Sequence, residues 1–438
     1  MGALPVVVVG AGPSGLAAAA RLVERGLEPL VLESGPRAGA AVAQWRHVRL
    51  FSPWSELVDP AGRRLLDTAG WAPPPADDHP TGAEWAARYL APLAAALGDR
   101  VRFGARVVGV ARRGRDRLVA EGRDREPLTV HVETAAGEER ITARAVLDAS
   151  GTWGTPNPLG GDGLPALGER AAADRIAYRV PDLAAEARRY AGGRVAVAGS
   201  GHSALTALVA LADLAERHPG TRVTWLLRRG AAGTAFGGGA ADQLPARGAL
   251  GVAARAAVEA GRVTVVTGFR TVSVTRVDEG VVLESEDGRR LGPVDEVVAL
   301  TGFRPDLSWL SEIRLDLDPA SQAPAALAPL IDPNVHSCGT VPPHGAEELR
   351  QPEPDFYLVG MKSYGRAPTF LALTGYEQVR SVVAEIAGDH GAARRVELTL
   401  PGTGVCGGAG VFDAEPAATG GCCGTPAAVE LAAPGPRP

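Results

Sequence analysis

The chain has 438 residues, 45% of them hydrophobic and 22% charged, with a formal net charge of −5. That length suggests two or three domains rather than one small core, and a mild acidic balance with no basic run argues against a nucleic-acid partner. No stretch of about 20 uninterrupted apolar residues occurs, so no membrane span is expected; the apolar N-terminus lacks a charged start and is broken by a glycine-proline turn, so a cytoplasmic protein is expected.

In chain order, the first apolar run, residues 5–9, ends in the turn Gly10-Ala-Gly12-Pro13-Ser14-Gly15. Leu16–Arg25 reads as a helix and Glu28–Leu32 as a second strand, which completes a strand-turn-helix-strand unit. Residues 40–80 hold Trp45, Trp54 and Trp71 among many prolines and read as an irregular insertion. Ala83–Ala96 reads as a helix, Val101–Arg112, Leu128–Glu133 and Ala145–Ala149 as strands, and Gly151–Gly163 as a linker. A second unit starts near Arg194, with strand Val195–Ala198, helix Ala204–Arg217, strand Arg222–Leu227 and a glycine-rich loop Gly230–Gly248. Val263–Thr267, Val272–Val277, Val281–Ser285 and Glu296–Leu300 repeat the late strands of the first half, so one architecture occurs twice. Phe356–Gly360 reads as a strand and Pro368–Gly388 as a helix; beyond Arg395, glycine, alanine and proline predict a loosely ordered tail.

The expected fold is α/β, with two Rossmann-like dinucleotide-binding domains, the second inserted into the first. The sequence divides as 1–160 and 326–395 for the first domain, 161–325 for the second, and 396–438 for a cysteine-containing tail.

The glycine turns carry the chemistry. Gly10 permits a tight exit from the strand, Gly12 lets backbone approach a pyrophosphate, and Gly15 lets the helix pack on the sheet. Phosphates then meet the unpaired N–H groups at the helix start, beside Pro13 and Ser14. Glu33, at the end of the next strand, is placed for ribose hydroxyls. The second turn, Gly199-Ser200-Gly201-His202-Ser203-Ala204, is of the same kind with alanine in the third place. Its following strand ends in Arg228-Arg229 with no acid, which suits a 2′-phosphate and predicts NADPH rather than NADH. His202 reads as a polar turn residue. Asp148-Ala-Ser150-Gly151-Thr and Ala299-Leu-Thr301-Gly302-Phe303 match each other as apolar strands closing on Ser/Thr-Gly.

With these motifs in place, the chain resembles the FAD- and NADPH-dependent class B flavoprotein monooxygenases over roughly residues 4–390, chiefly at Gly199–Ala204, Thr301–Asp306 and Gln44-Trp45. The resemblance implies that Gln44, Trp45, Val107, Ser150, Gly151, Gly360 and Met361 contact FAD, and that Thr301, Gly302 and Phe303 border the nicotinamide cofactor. It also lays the segment after Phe356–Gly360 against the isoalloxazine. Lys362, the single lysine of the chain, is there the candidate catalytic cation for a reduced, negatively charged flavin, with Arg366 a second of the same kind. One departure stands out. The family fingerprint F-x-G-x-x-x-H-x-x-x-(F/W) has no histidine here, where Leu164–Tyr178 carries Ile176-Ala-Tyr178, which weakens a standard N-oxygenating or Baeyer–Villiger assignment.

The segments Trp45–Trp54, Gly151–Gly163, Gly237–Gly248 and Ile331–Gly345 further resemble flavin monooxygenases encoded beside bacterial arsenic-resistance genes. That resemblance implies NADPH- and oxygen-dependent oxidation of a trivalent arsenical to the pentavalent form, with the Trp45–Trp54 segment and the Gly230–Gly248 loop walling the site. Trivalent arsenic is thiophilic, so Cys338, Cys406, Cys422 and Cys423 are candidate thiol ligands for the substrate; no resident metal is expected. Two alternatives stay open: an NADPH-dependent flavoprotein reductase of a thiophilic metal or thiol, which needs a Cys-x-x-x-x-Cys the chain lacks, and a non-catalytic flavin- or arsenical-binding protein.

Overall fold

The computed structural model describes residues 4–237, 239, 242, 245–333, 341–368 and 370–398. Strands β1 (Val6–Val9), β2 (Pro29–Glu33) and β3 (Val101–Phe103) lie side by side, all parallel. The chain then leaves to form an antiparallel sheet of β4 (Arg106–Arg112), β5 (Leu128–Thr134) and β6 (Gly137–Ala143), and returns with β7 (Ala145–Asp148) beside β1. The second unit repeats this course. Strand β8 (Ile176–Ala177) is followed by β9 (Arg194–Ala198), β10 (Arg222–Leu226) and β11 (Val263–Val266). An antiparallel sheet of β12 (Thr271–Val277), β13 (Gly280–Ser285) and β14 (Arg290–Val294) precedes β15 (Glu296–Ala299), and β16 (Phe356–Leu358) comes last.

The two parallel sheets have orders β16-β7-β1-β2-β3 and β8-β15-β9-β10-β11. Their strand orders correspond, except that the edge strand β8 opens the second unit whereas β16 rejoins the first sheet after the second is complete. The α/β architecture with a second dinucleotide unit nested in the first is therefore present. The four valines of β1 are buried, as a parallel strand covered on both faces requires. The helix Pro13–Glu24 starts with proline in its first turn, where the missing N–H costs nothing. Its Ala17–Ala20 stretch is buried, and these small side chains let it lie close between the first sheet and the helix Ala372–Ile386.

Several elements differ from the sequence reading. The strand expected over Val101–Arg112 breaks at Gly104 (φ +65) and feeds two different sheets. The irregular insertion contains a helix, Pro60–Asp67, capped by Asp59, whose Oδ2 accepts from Gly62 N at 2.9 Å. The glycine-rich loop is cut short by the helix Pro245–Glu259. There Gly251 serves close packing: a Cβ on it would stand 2.0 Å from Phe236 O. The late helix begins at Ala372, leaving Pro368 outside it.

The two chain crossings between the units are fastened together. Asn157 N donates to Gly302 O at 2.9 Å, Thr301 Oγ1 donates to Asn157 O at 2.7 Å, and Arg304 Nε donates to Asn157 Oδ1 at 2.9 Å.

Candidate functional site

The first glycine turn is built by contact. Gly10 has φ +100, which disfavours any side chain, and a Cβ on Gly15 would stand 2.0 Å from Gly10 O. Gly12 is different: a Cβ there meets nothing within 4 Å, so its bare backbone faces open space. The helix that follows has no side-chain cap, leaving its first N–H groups for a ligand. Glu33 closes the rim, accepting from Ala11 N and Gly35 N at 2.7 Å each.

This turn opens into a cavity of about 1450 Å³, larger than the roughly 300–1,000 Å³ of an ordinary small-molecule pocket. Gly10, Gly12, Pro13, Ser14 and Glu33 line it. Gln44, Trp45, Val107, Ser150, Gly151, Gly360 and Met361 line the same cavity, so the structure brings the expected FAD-contact residues together. Gly15 stays out of the lining, in its packing role. An uncovered helix start, a turn without a Cβ at Gly12 and an acid at the end of β2 fit an elongated dinucleotide.

The second turn repeats the geometry. Gly199 has φ +129, and a Cβ on it would lie 2.2 Å from Leu300 O; a Cβ on Gly201 meets nothing. Ala204 is buried where the first turn has Gly15. Of this unit's expected residues, His202 and Phe303 line the large cavity, whereas Gly199, Ser200, Gly201, Ser203, Ala204, Thr301, Gly302, Arg228 and Arg229 do not. Gly201 and Ser203 open to solvent beside it. Burial, with a smaller contribution from the Arg247 guanidinium, holds the His202 imidazole below its ordinary value of 6.5, so the ring is neutral near pH 7. Arg228 is exposed just past β10 and donates to Gly161 O at 3.1 Å. Arg229 is half-buried, and burial lowers its pKa from the usual value.

The candidate cations need correction. Lys362 does not line the cavity. It is fully buried behind Ser150, with Nζ 2.6 Å from Asp148 Oδ2, 3.0 Å from Ser150 Oγ and 4.6 Å from the Trp309 ring centre. The polar strand end at Asp148 gave no sign of this in the sequence, because the pair joins residues more than 200 apart. Arg366 also lies off the cavity, exposed, with Nε donating to Gln322 Oε1 at 2.8 Å. Cys338, Cys406, Cys422 and Cys423 lie outside the described residues.

The wall differs in part from expectation. Trp45 and the stretch from Val48 to Ser52 do line the site, but among the described residues of the glycine-rich loop only Arg247 does, and Trp54 is buried elsewhere. Within the two expected wall segments the structure singles out Phe51 and Arg247, and it adds Trp153, which went unread. Phe51 stands edge-on to His202 with ring centres 5.6 Å apart, and Trp153 packs on Phe303 at 4.9 Å. Arg247 is held by Asp242, with Nη2 2.8 Å from Oδ1. The Trp153–Phe303 pair had a signal, since each aromatic follows one of the two matched Ser/Thr-Gly turns. Among the described residues no cluster of His, Cys, Asp or Glu could hold a metal ion, and no helix is long and apolar enough to cross a membrane.

Comparison with known proteins agrees with this geometry. A ferredoxin–NADP reductase of Ignicoccus hospitalis is 27% identical over 319 residues, 71% of this chain and 81% of that protein. The solved bacillithiol disulfide reductase from Bacillus cereus shares the fold with a TM-score of 0.65 at 21% identity, covering 88% of this chain and 99% of that one. A flavin-containing monooxygenase from Stenotrophomonas maltophilia gives a TM-score of 0.54 at 23% identity, over 89% and 99% of the two chains. The family model described as pyridine nucleotide-disulphide oxidoreductase matches residues 7–326. With both glycine turns inside that match, the chain belongs to the pyridine nucleotide-disulphide oxidoreductase family, whose members are flavin-dependent oxidoreductases.

Proposed function

We propose that the chain is an NADPH-dependent flavin monooxygenase that oxidises a small, soft, uncharged nucleophile, with a trivalent arsenical as the substrate to test first. FAD would lie along the first turn and Glu33, and NADPH would bind across the second turn, with Arg228 and Arg229 at its 2′-phosphate. When bound, FAD supplies the redox chemistry, accepting a hydride from NADPH and returning two electrons toward oxygen. The chain's own part is to hold, orient and exclude. Trp45, Trp153, Phe303, Tyr364 and Phe370 wall the cavity with apolar surface, which keeps bulk water from a reactive centre. Neutral His202, at the end nearest the second turn, offers a hydrogen-bonding group without a charge.

The observation that carries this reading is a single cavity lined by both dinucleotide units in a chain with no Cys-x-x-x-x-Cys. The chain thus lacks the cysteine pair that would collect electrons beside the first turn, which favours an acceptor that enters the cavity as a small molecule. The charge of the wall favours a neutral one. Arg37, Arg49, Arg106 and Arg247 line it against Glu33 and Asp306; Glu33 is held by backbone N–H groups, and Asp306 accepts from Ser308 N at 3.0 Å and Oγ at 2.6 Å. Four guanidiniums against two carboxylates disfavour a cationic amine. The arsenical itself rests on the resemblance of Trp45–Trp54 and its companion segments.

The overall conversion consumes NADPH, a proton and oxygen, and yields NADP⁺, water and a pentavalent arsenical carrying one new oxygen. Oxygen uptake with NADPH, measured over neutral trivalent arsenicals, sulfides and cationic amines, tests it. The expected result is a one-to-one ratio of NADPH to oxygen to oxidised arsenical, with amines inert. Oxygen uptake that yields only hydrogen peroxide with every compound would sink the proposal. So would electron delivery to a ferredoxin-type acceptor as the sole activity, the reading that the relative from Ignicoccus hospitalis favours.

A further inference from the structure

The duplicated architecture supplies a comparison within one molecule. Asp148 on β7 pairs with Val9 on β1, and Ala299 on β15 pairs with Ala198 on β9. Val9 and Ala198 each precede the first glycine of their turn, so Asp148 and Ala299 are counterparts. Both are buried. The strand end in the second unit is thus completed by an apolar side chain, and the fold does not of itself require a charge there. Burying a carboxylate and an ammonium is costly, and an apolar pair of like volume commonly serves stability as well or better. The charge at Asp148 calls for another explanation.

The hydroxyls two residues further on also differ. Thr301 Oγ1 is used in the crossing, donating to Asn157 O. Its counterpart Ser150 instead donates from Oγ to Asp148 Oδ1 at 2.6 Å and accepts from Lys362 Nζ at 3.0 Å. Ser150 N donates to the same Asp148 oxygen at 3.1 Å. A hydroxyl has one proton to donate and two lone pairs to offer. The proton goes to Asp148 and one lone pair to Lys362, so the second lone pair is left for the cavity, which Ser150 lines.

We propose that Asp148 and Lys362 are positioning residues that hold Ser150 Oγ as a hydrogen-bond acceptor for a donor group of the bound flavin, so that Lys362 acts on that ring through Ser150 and not by contact. This rests on the reading that the cavity holds FAD. It assigns the buried ammonium a task that Ala299 and Thr301 in the second unit do not perform, and it predicts that the state of Lys362 reports on occupancy of a cavity it does not touch.

Because Lys362 is the single lysine, full-length protein grown on ¹³C,¹⁵N-lysine carries one labelled side chain whose resonances need no assignment. The deflavinated chain is titrated with FAD while binding is followed by flavin fluorescence and Lys362 by its ¹³Cε and ¹⁵Nζ signals. Wild type is expected to bind FAD with a clear movement of the Lys362 signals. Ser150→Ala is expected to bind about tenfold more weakly, the loss of one hydrogen bond, and to lose that movement at saturation; Ser150→Thr, which keeps the hydroxyl, restores both. Lys362 signals that stay still while wild type saturates with FAD overturn the proposal, as does an unchanged movement in Ser150→Ala. Failure of wild type to bind FAD at all removes the flavin reading itself, and this inference with it.

Discussion

Lys362 Nζ lies 2.6 Å from Asp148 Oδ2, with neither side chain exposed to solvent. The two residues stand on different segments, one closing β7 and the other just past β16, so the pair ties together the ends of two neighbouring strands of the first sheet. Removing one partner strands a charge in a low-dielectric interior. Lys362→Met is therefore expected to cost about 3–5 kcal/mol, measured by denaturant unfolding. Adding Asp148→Leu to that variant, which removes the second charge as well, is expected to recover most of the loss. A double variant no more stable than Lys362→Met would show that packing and not charge sets the cost.

The two central glycines of the first turn separate binding from folding. Gly12→Ala adds a methyl that meets nothing within 4 Å, so the protein is expected to fold with wild-type stability and yet bind little FAD, because the methyl would fill the place proposed for the phosphates. Gly15→Ala drives a methyl to 2.0 Å from Gly10 O. It is expected to lose on the order of 1–3 kcal/mol through overpacking, or more if the helix cannot shift. Flavin content after purification, beside melting temperature, checks both. The same split holds at the second turn, where Gly201→Ala is expected to raise the KM for NADPH and leave flavin content unchanged.

These contrasts also show what the sequence could and could not disclose. The placement of Gly10, Gly12, Gly15 and Glu33 was legible because it depends on spacing within one strand-turn-helix unit, and the same spacing marked the second turn. The Phe51–His202 and Lys362–Asp148 contacts were not legible, since each joins segments far apart in sequence and neither carries a periodic signal. Polar strands hid for the same reason: Gly137–Ala143 has Glu138, Glu139 and Arg140 in a row, and no alternation marks it. Helix Pro245–Glu259 was masked by Gly248 and Gly251, glycines that elsewhere signal a loop and here allow close packing.

Glu353 predicts the acid limb of stability. Its side chain is fully buried between Arg112, 2.8 Å away, and Arg123, 2.7 Å away. Burial pushes its carboxyl up, but the hydrogen bonds from Arg123 and Arg112 outweigh that and leave it below the ordinary 4.5. A carboxyl whose folded value lies below its unfolded value contributes stability above the unfolded value and loses it as pH falls through the folded one. Stability is therefore expected to decline as pH drops below about 4.5. Glu353→Gln is expected to flatten that decline and to lower stability at pH 7 by about 3–5 kcal/mol, because two buried guanidiniums lose their counter-ion. Unfolding curves taken across pH 3 to 7 check both parts.

Nicotinamide selectivity is the sharpest test of the second site. Arg228 and Arg229 follow β10, the strand whose counterpart β2 ends at Glu33. An acid in that place favours ribose hydroxyls, and a guanidinium favours a 2′-phosphate. Arg228 is exposed and Arg229 half-buried, and the two are adjacent in sequence, so single variants can mask each other. The double variant Arg228→Ala, Arg229→Ala is expected to raise the KM for NADPH by about ten- to a hundredfold, the worth of a charge-assisted hydrogen bond, with little change in kcat. The KM for NADH is expected to stay where it was, because NADH has no 2′-phosphate to lose. An equal rise for both nucleotides would instead mean that the arginines shape the whole turn, since Arg228 also ties the end of β10 to Gly161.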